Sequence, residues 1–130
     1  MYNSVWYKSL NTPLLMPPDW IFAPVWIILY LMIFASFWIF LRAESVIKKS
    51  LAIIFFSVQL LLNFIWSTVF FTMTDIQGAL VVVFFMWLFI LFTIIEFHKI
   101  SKLSAYLLIP YFLWVSFAFY LNLSFYILNK

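Results

Sequence analysis

Residues 79–95 read ALVVVFFMWLFILFTII. The run contains almost no polar group, and Trp87 lies near its middle. Such a segment has no face to give to water. Extended to Ile76 and Phe97, it is long enough to cross the hydrocarbon core of a bilayer, which takes about 20 apolar residues. It reads as a lipid-facing or scaffold helix and is assigned no site residues.

The rest of the chain follows the same lead. It has 130 residues, at most one domain, of which 68% are hydrophobic and 8% charged. A soluble domain of this length needs far more charge to cover its surface. Lipid is therefore the expected solvent. Cysteine is absent, which excludes disulfides and thiolate metal sites. A net charge of +3, scattered along the chain, does not suggest nucleic acid. Glycine occurs once, at Gly78, so no GxxxG helix-pairing motif exists. Aromatic residues make up 25%, more than two interfacial belts need, so some are expected inside the bundle.

Three more runs qualify as spans, giving four at about 20–41, 51–73, 76–97 and 105–128. The links between them, RAESVIKKS, TMTDIQG and HKISKLS, are short and force neighbouring helices to run antiparallel. The expected fold class is an all-α polytopic membrane bundle of four transmembrane helices. The opening MYNSVWYKSLNTPLLMPPDW lacks a basic start followed by an apolar core, so it does not read as a cleaved signal peptide. Residues 1–19 read as an irregular extracytoplasmic loop segment. Pro17 and Pro18 suit the start of a helix, where a missing N–H costs no intrahelical bond. Pro24 falls early enough to be tolerated, with some bending of the first turns.

Arg42, Lys48 and Lys49 lie in the first link and Lys99 and Lys102 in the third, whereas Lys8 and Lys130 lie on the other side. The positive-inside rule places both basic links in the cytoplasm and both termini outside.

Polar side chains inside membrane helices are costly, so their placement is informative. In the second span Gln59, Asn63 and Ser67 follow at i, i+4 and i+8, with Trp66 beside them. In the fourth, Tyr111, Trp114, Ala118 and Asn122 follow steps of three, four and four, after Pro110. In the first, Phe22, Trp26 and Tyr30 are four apart. A membrane-interface belt explains Trp20, near the start of the span, better than it explains the deeper Trp26 and Tyr30. Indole and phenol groups donate hydrogen bonds while keeping a broad apolar surface, and amides both donate and accept. Three such faces describe a pocket for a flat, largely apolar ligand with a few polar atoms. The plainer reading is interhelical hydrogen bonding, worth about 0.6 to 2 kcal/mol per contact.

Asp19, Glu44, Asp75 and Glu96 each lie at or near a link, so no paired carboxylate or proton relay is visible. His98 stands alone in a basic link and reads as a solvated histidine. No P-loop, nucleophile triad or zinc spacing occurs, so no metal site and no required cofactor are expected.

WYKSLNTPLLMPPDWIFAPVWIILY, QLLLNFIWSTVFF and LLIPYFLWVSFAFYLN resemble, in order, the three signature blocks of the TspO/MBR family, which includes the tryptophan-rich sensory proteins and the translocator protein, or peripheral-type benzodiazepine receptor. The resemblance covers the chain from Trp6 onward. It implies a small helical membrane bundle that binds porphyrins such as protoporphyrin IX, and benzodiazepine-type or isoquinoline carboxamide ligands. By motif match, Trp26 and Asn63 correspond to residues that hydrogen-bond ligand. Trp114, with Trp26, corresponds to the tryptophans implicated in porphyrin chemistry. Tyr30, Trp66, Tyr111 and Ala118 also fall in the blocks and would line the same cavity, its mouth covered by the segment before the first span.

The family usually has five spans, one of them before the WY segment, where this chain has five residues. The expectation is a four-helix variant or a start that lies upstream, with a homo-oligomer as one way to complete the pocket wall. Leu123, Tyr126 and Lys130 also fit a short sterol-recognition pattern, a weak signal on its own. The leading function is a tetrapyrrole-binding sensor, carrier or scavenger in a bacterial cell membrane. The alternatives are light-dependent porphyrin degradation, with Trp26 and Trp114 as the catalytic candidates, and a bundle whose polar faces merely hold its helices together.

Overall fold

A computed structural model of the chain describes the backbone of residues 19–69 and 75–129 and the side chains of 23–69 and 75–128. The opening segment, Pro17, Pro18 and Lys130 lie outside the described residues, as do the side chains of Trp20 and Phe22. Among the described residues five helices form: α1 (Asp19–Arg42), α2 (Ser50–Ser67), α3 (Ile76–Ile100), α4 (Lys102–Leu107) and α5 (Ile109–Asn129). The described residues contain no strand. Among the described residues four segments are long and apolar enough to cross a membrane, α4 and α5 together forming one crossing. The chain is an all-α membrane bundle, with four such spans in its described part.

The helix boundaries have local causes. Asp75 caps α3, its carboxylate accepting from the Gly78 N–H at 2.9 Å, which satisfies one of the orphan donors of a first turn. Ser101 caps α4 in the same way, accepting from Ser104 N at 3.3 Å. Lys49 reaches back to the end of α1 and donates to Leu41 O at 2.9 Å and Ala43 O at 2.6 Å. A cation at a helix C-terminus also complements the helix dipole. Pro24 lies within α1 without ending it.

The fourth crossing is not one unbroken helix from Ala105. It starts at Lys102 and breaks at Leu108, where Leu108 N bonds to Ala105 O, a three-residue step. Pro110 explains the break, since it has no N–H to offer the carbonyl four residues back and its ring crowds that carbonyl.

The α3 helix occupies the middle of the bundle. Ala79, Val83, Met86, Ile90 and Phe97 are fully buried, while Val81, Phe84, Phe85, Phe92 and Ile95 are exposed, so one face packs in the bundle and the other is apolar and outward. It packs against α2 on one side and against α4 and α5 on another, while α1 packs on α4 and α5. The helices thus form an incomplete ring, α1 to α4/α5 to α3 to α2, in which the first and last members meet chiefly through side chains. Near the basic links those side chains are phenyl rings, Phe37 of α1 stacking on Phe56 of α2 at 4.3 Å; Phe40 of α1 stacks instead on Phe97 of α3 at 4.1 Å. Ser36, buried on α1, donates to Ser104 O at 2.7 Å and ties α1 to α4.

Candidate functional site

The buried face of α2 consists of Ala52, Phe56, Gln59, Asn63 and Trp66. The polar stripe read from the sequence therefore ends on Trp66 and not on Ser67, which is only half-buried. Helix geometry gives the reason: at about 3.6 residues per turn, i+7 returns close to the starting direction and i+8 overshoots it.

The buried face of α5 runs through Tyr111, Val115, Ala118, Asn122 and Phe125. Trp114 sits at the edge of that face, half-buried. The edge position brings its ring to Trp26 of α1, with centroids 6.4 Å apart and planes at 86°. Tyr30, one turn further along α1, lies 5.7 Å from Trp26. The first and fourth crossings thus contribute three polar-edged rings to one place.

A chain of hydrogen bonds runs from these rings into the core. The Tyr30 hydroxyl donates to Asn63 Oδ1 at 2.6 Å. Asn63 Nδ2 donates to the Tyr111 hydroxyl at 2.8 Å, which in turn donates to Gln59 Oε1 at 2.8 Å. Asn63, Tyr111 and Gln59 are all buried. The direction of donation is set by chemistry: each phenol gives its one hydrogen, and the Asn63 amide accepts at one end and donates at the other. The side-chain N–H₂ of Gln59 ends the chain with no partner among the described residues. Gln59 was legible as part of the polar stripe, but its place next to Tyr111 was not, because nothing in the spacing tells which residues of two different helices face each other.

A second polar cluster lies beside the first. Trp66 Nε1 donates to Asn122 Oδ1 at 2.9 Å, and Asn122 Nδ2 donates to Ile76 O at 3.1 Å near the start of α3. The structure therefore places Trp66 with Asn122, and Ala118 one turn before Asn122 on the buried face of α5. Trp87 of α3 also acquires a role, donating to Ser116 Oγ at 2.8 Å. It clamps α3 to α5, a contact that the apolar context of Trp87 gave no means to foresee.

Of the seven sequence-derived candidates, Trp26, Tyr30 and Trp114 gather by ring contact, and Tyr30, Asn63 and Tyr111 by hydrogen bonds. Both hydrogen-bonding ends of the Asn63 amide are occupied within the protein. A ligand that takes over either of these two bonds displaces a tyrosine, and Tyr30 is the half-buried one of the two. His98 lies at the exposed end of α3, its ring 5.9 Å from that of Tyr106, far along the sequence from these aromatic faces. In the sterol pattern Leu123 is exposed and Tyr126 half-buried, while Lys130 falls outside the described residues.

Comparison with known proteins finds relatives along almost the whole chain. The tryptophan-rich protein TspO of Chlorobaculum tepidum is 40% identical over 129 residues, which cover 97% of this chain and 80% of that relative. The tryptophan-rich sensory protein of Cereibacter sphaeroides is 36% identical over 118 residues, 90% of this chain and 72% of the relative. The human translocator protein is 31% identical over 119 residues, 90% and 70% respectively. The family model described as TspO/MBR matches residues 1–128, and the chain belongs to the TspO/MBR family.

Proposed function

We propose that this integral membrane protein binds a planar tetrapyrrole, of the protoporphyrin IX type, between α1, α2 and α5, and serves as a sensor, carrier or scavenger of it. The supporting observation is the meeting of Trp26, Tyr30 and Trp114 beside the Asn63 amide, from three different helices. Flat rings gain from stacked and edge-on aromatic contacts beyond the area they bury. The amide and phenol groups supply a few oriented polar contacts, the usual makeup of a small-molecule site. Family membership and the names of the relatives are consistent with a small-molecule role. The bilayer is the protein's surroundings, and the two basic links face the cytoplasm by the positive-inside rule.

One observation favours a second reading. The Tyr30–Asn63–Tyr111–Gln59 chain spans three helices, as it would in a bundle whose polar groups serve only cohesion. Thermal unfolding in nanodiscs separates the two. A ligand that binds only the folded state raises apparent stability by RT ln(1 + [L]/Kd), about 2.7 kcal/mol at a hundredfold excess over Kd. A transition temperature that climbs with protoporphyrin IX supports the site. One that stays fixed across the solubility range of the porphyrin supports the purely structural bundle.

A further inference from the structure

The hydrogen-bond chain from Tyr30 to Gln59 has a direction, and that direction is set at its inner end. Tyr111 has one hydrogen and gives it to Gln59 Oε1 at 2.8 Å. The Tyr111 oxygen is left to accept, and Asn63 Nδ2 donates to it at 2.8 Å. An amide that turns its nitrogen to one side turns its oxygen to the other. Asn63 Oδ1 is accordingly the atom that meets the Tyr30 hydroxyl, at 2.6 Å. Asn63 therefore shows an acceptor, and no donor, toward Tyr30 and the Trp26 ring beside it.

The same heavy atoms admit the opposite direction. With the Gln59 amide turned over, Nε2 would donate to the Tyr111 oxygen. The Tyr111 hydrogen would pass to Asn63 Oδ1, and Asn63 Nδ2 would face Tyr30. The three separations, 2.6, 2.8 and 2.8 Å, lie at or near hydrogen-bond length for either direction. Each direction strands one donor. The observed one strands the Gln59 N–H₂, which has no partner among the described residues; the reversed one strands the Tyr30 O–H at the site. A buried N–H without a partner is rare in folded proteins and calls for an explanation. Here the stranded group is the counterpart of a filled outer end. Gln59 and Tyr111 are 1% and 0% exposed, so a segment packed on the outside of the bundle does not reach them, and the direction is fixed within it.

We propose that Gln59 is a specificity-determining positioning residue: through Tyr111 it holds Asn63 Oδ1 toward the site, which then selects planar aromatic ligands with an O–H or N–H donor on the edge over those with acceptors alone. The proposal rests on the ligand-binding reading and adds the edge chemistry that reading leaves open. A donor edge replaces the Tyr30 hydrogen on Asn63 Oδ1 and leaves the two inner bonds intact. An acceptor-only edge meets that oxygen lone pair to lone pair, and a donor from Asn63 comes only with reversal of the whole chain. Carboxylic acids and carboxamides carry such a donor and esters do not. A carboxyl group drawn into a dry interior enters neutral, with an O–H to give.

Protoporphyrin IX and its dimethyl ester test this, because they share one ring and differ in the O–H. Equilibrium quenching of indole fluorescence in the full chain in nanodiscs gives a Kd for each. The acid-to-ester affinity ratio, compared between variants, cancels the ring and its partition into lipid. The unsubstituted chain should prefer the acid. Gln59→Leu leaves the Tyr111 hydrogen no acceptor but Asn63 Oδ1 and reverses the chain. The ratio should then fall about tenfold or more, the scale of one hydrogen bond made or lost. Tyr111→Phe removes the relay and should bring the ratio toward parity; it decides alone if Gln59→Leu yields no folded bundle. A purely structural role weakens both porphyrins alike. A ratio that stays unchanged in the variants, or equal affinities in the unsubstituted chain, therefore overturns the role of Gln59 and leaves the ligand site standing. Absence of saturable quenching by either porphyrin in the unsubstituted chain overturns site and role together.

Discussion

Replacing Tyr30 by Phe keeps the ring that stacks on Phe34 and Phe64 and removes only the hydroxyl that donates to Asn63 at 2.6 Å. Two effects follow, of opposite sign. Without ligand, the bundle loses a bond between α1 and α2, helices whose backbones stay apart and which otherwise meet through ring contacts. Interhelical hydrogen bonds in membranes average about 0.6 kcal/mol and reach about 1.7, so unfolding should become easier by that amount. With ligand, the competitor for Asn63 Oδ1 is gone, and a ligand that donates there no longer has to break a bond first. The same free energy then appears as tighter binding, about 3- to 18-fold in Kd. Stability is measured by denaturing-detergent titration in mixed micelles and affinity by protoporphyrin IX titration of the same samples. A variant that loses stability and also binds more weakly would show that the hydroxyl serves the ligand directly more than it competes for Asn63, and the competition argument would be refuted. A variant of unchanged stability would show that the bond does not hold α1 to α2.

Asn122→Leu removes both the bond from Trp66 and the bond to Ile76 O. It should cost about 1 to 3 kcal/mol of bundle stability, seen in the same detergent titration. Asp75→Ala deletes the α3 cap and should cost about 0.5 to 2 kcal/mol, with faster amide exchange confined to the first turn of α3. A reporter fused after Lys130 should respond only on the extracytoplasmic side if the two basic links are cytoplasmic; a signal from inside alone reverses the topology.

Much of the bundle is legible in the sequence because lipid imposes a length rule on apolar runs, and residues 79–95 satisfy it with almost no polar group. Periodicity also carried part of the site. Asn63 and Tyr111 were placed on inward faces by their spacing, and both prove to be buried. Periodicity is coarser where one residue decides between adjacent directions: of Trp66 and Ser67, read onto one face, only Trp66 is buried, and on α5 Val115 holds the centre of the face while Trp114 stands at its edge. Pairing between helices is less legible still. The bonds from Tyr111 to Gln59 and from Trp87 to Ser116 join residues 52 and 29 positions apart, and no local pattern encodes such a meeting. The gap between α1 and α2 was hidden for the same reason, since a short link implies antiparallel neighbours but not how closely they approach.

The most direct test is equilibrium quenching of indole fluorescence by protoporphyrin IX in nanodiscs, comparing the unsubstituted chain with Trp26→Phe/Trp114→Phe. If the two indoles that meet at 6.4 Å form the wall of a planar-ligand site, quenching saturates in the parent and the double variant binds distinctly more weakly. Quenching that rises linearly with porphyrin, or saturates identically in both proteins, would contradict a site between α1 and α5.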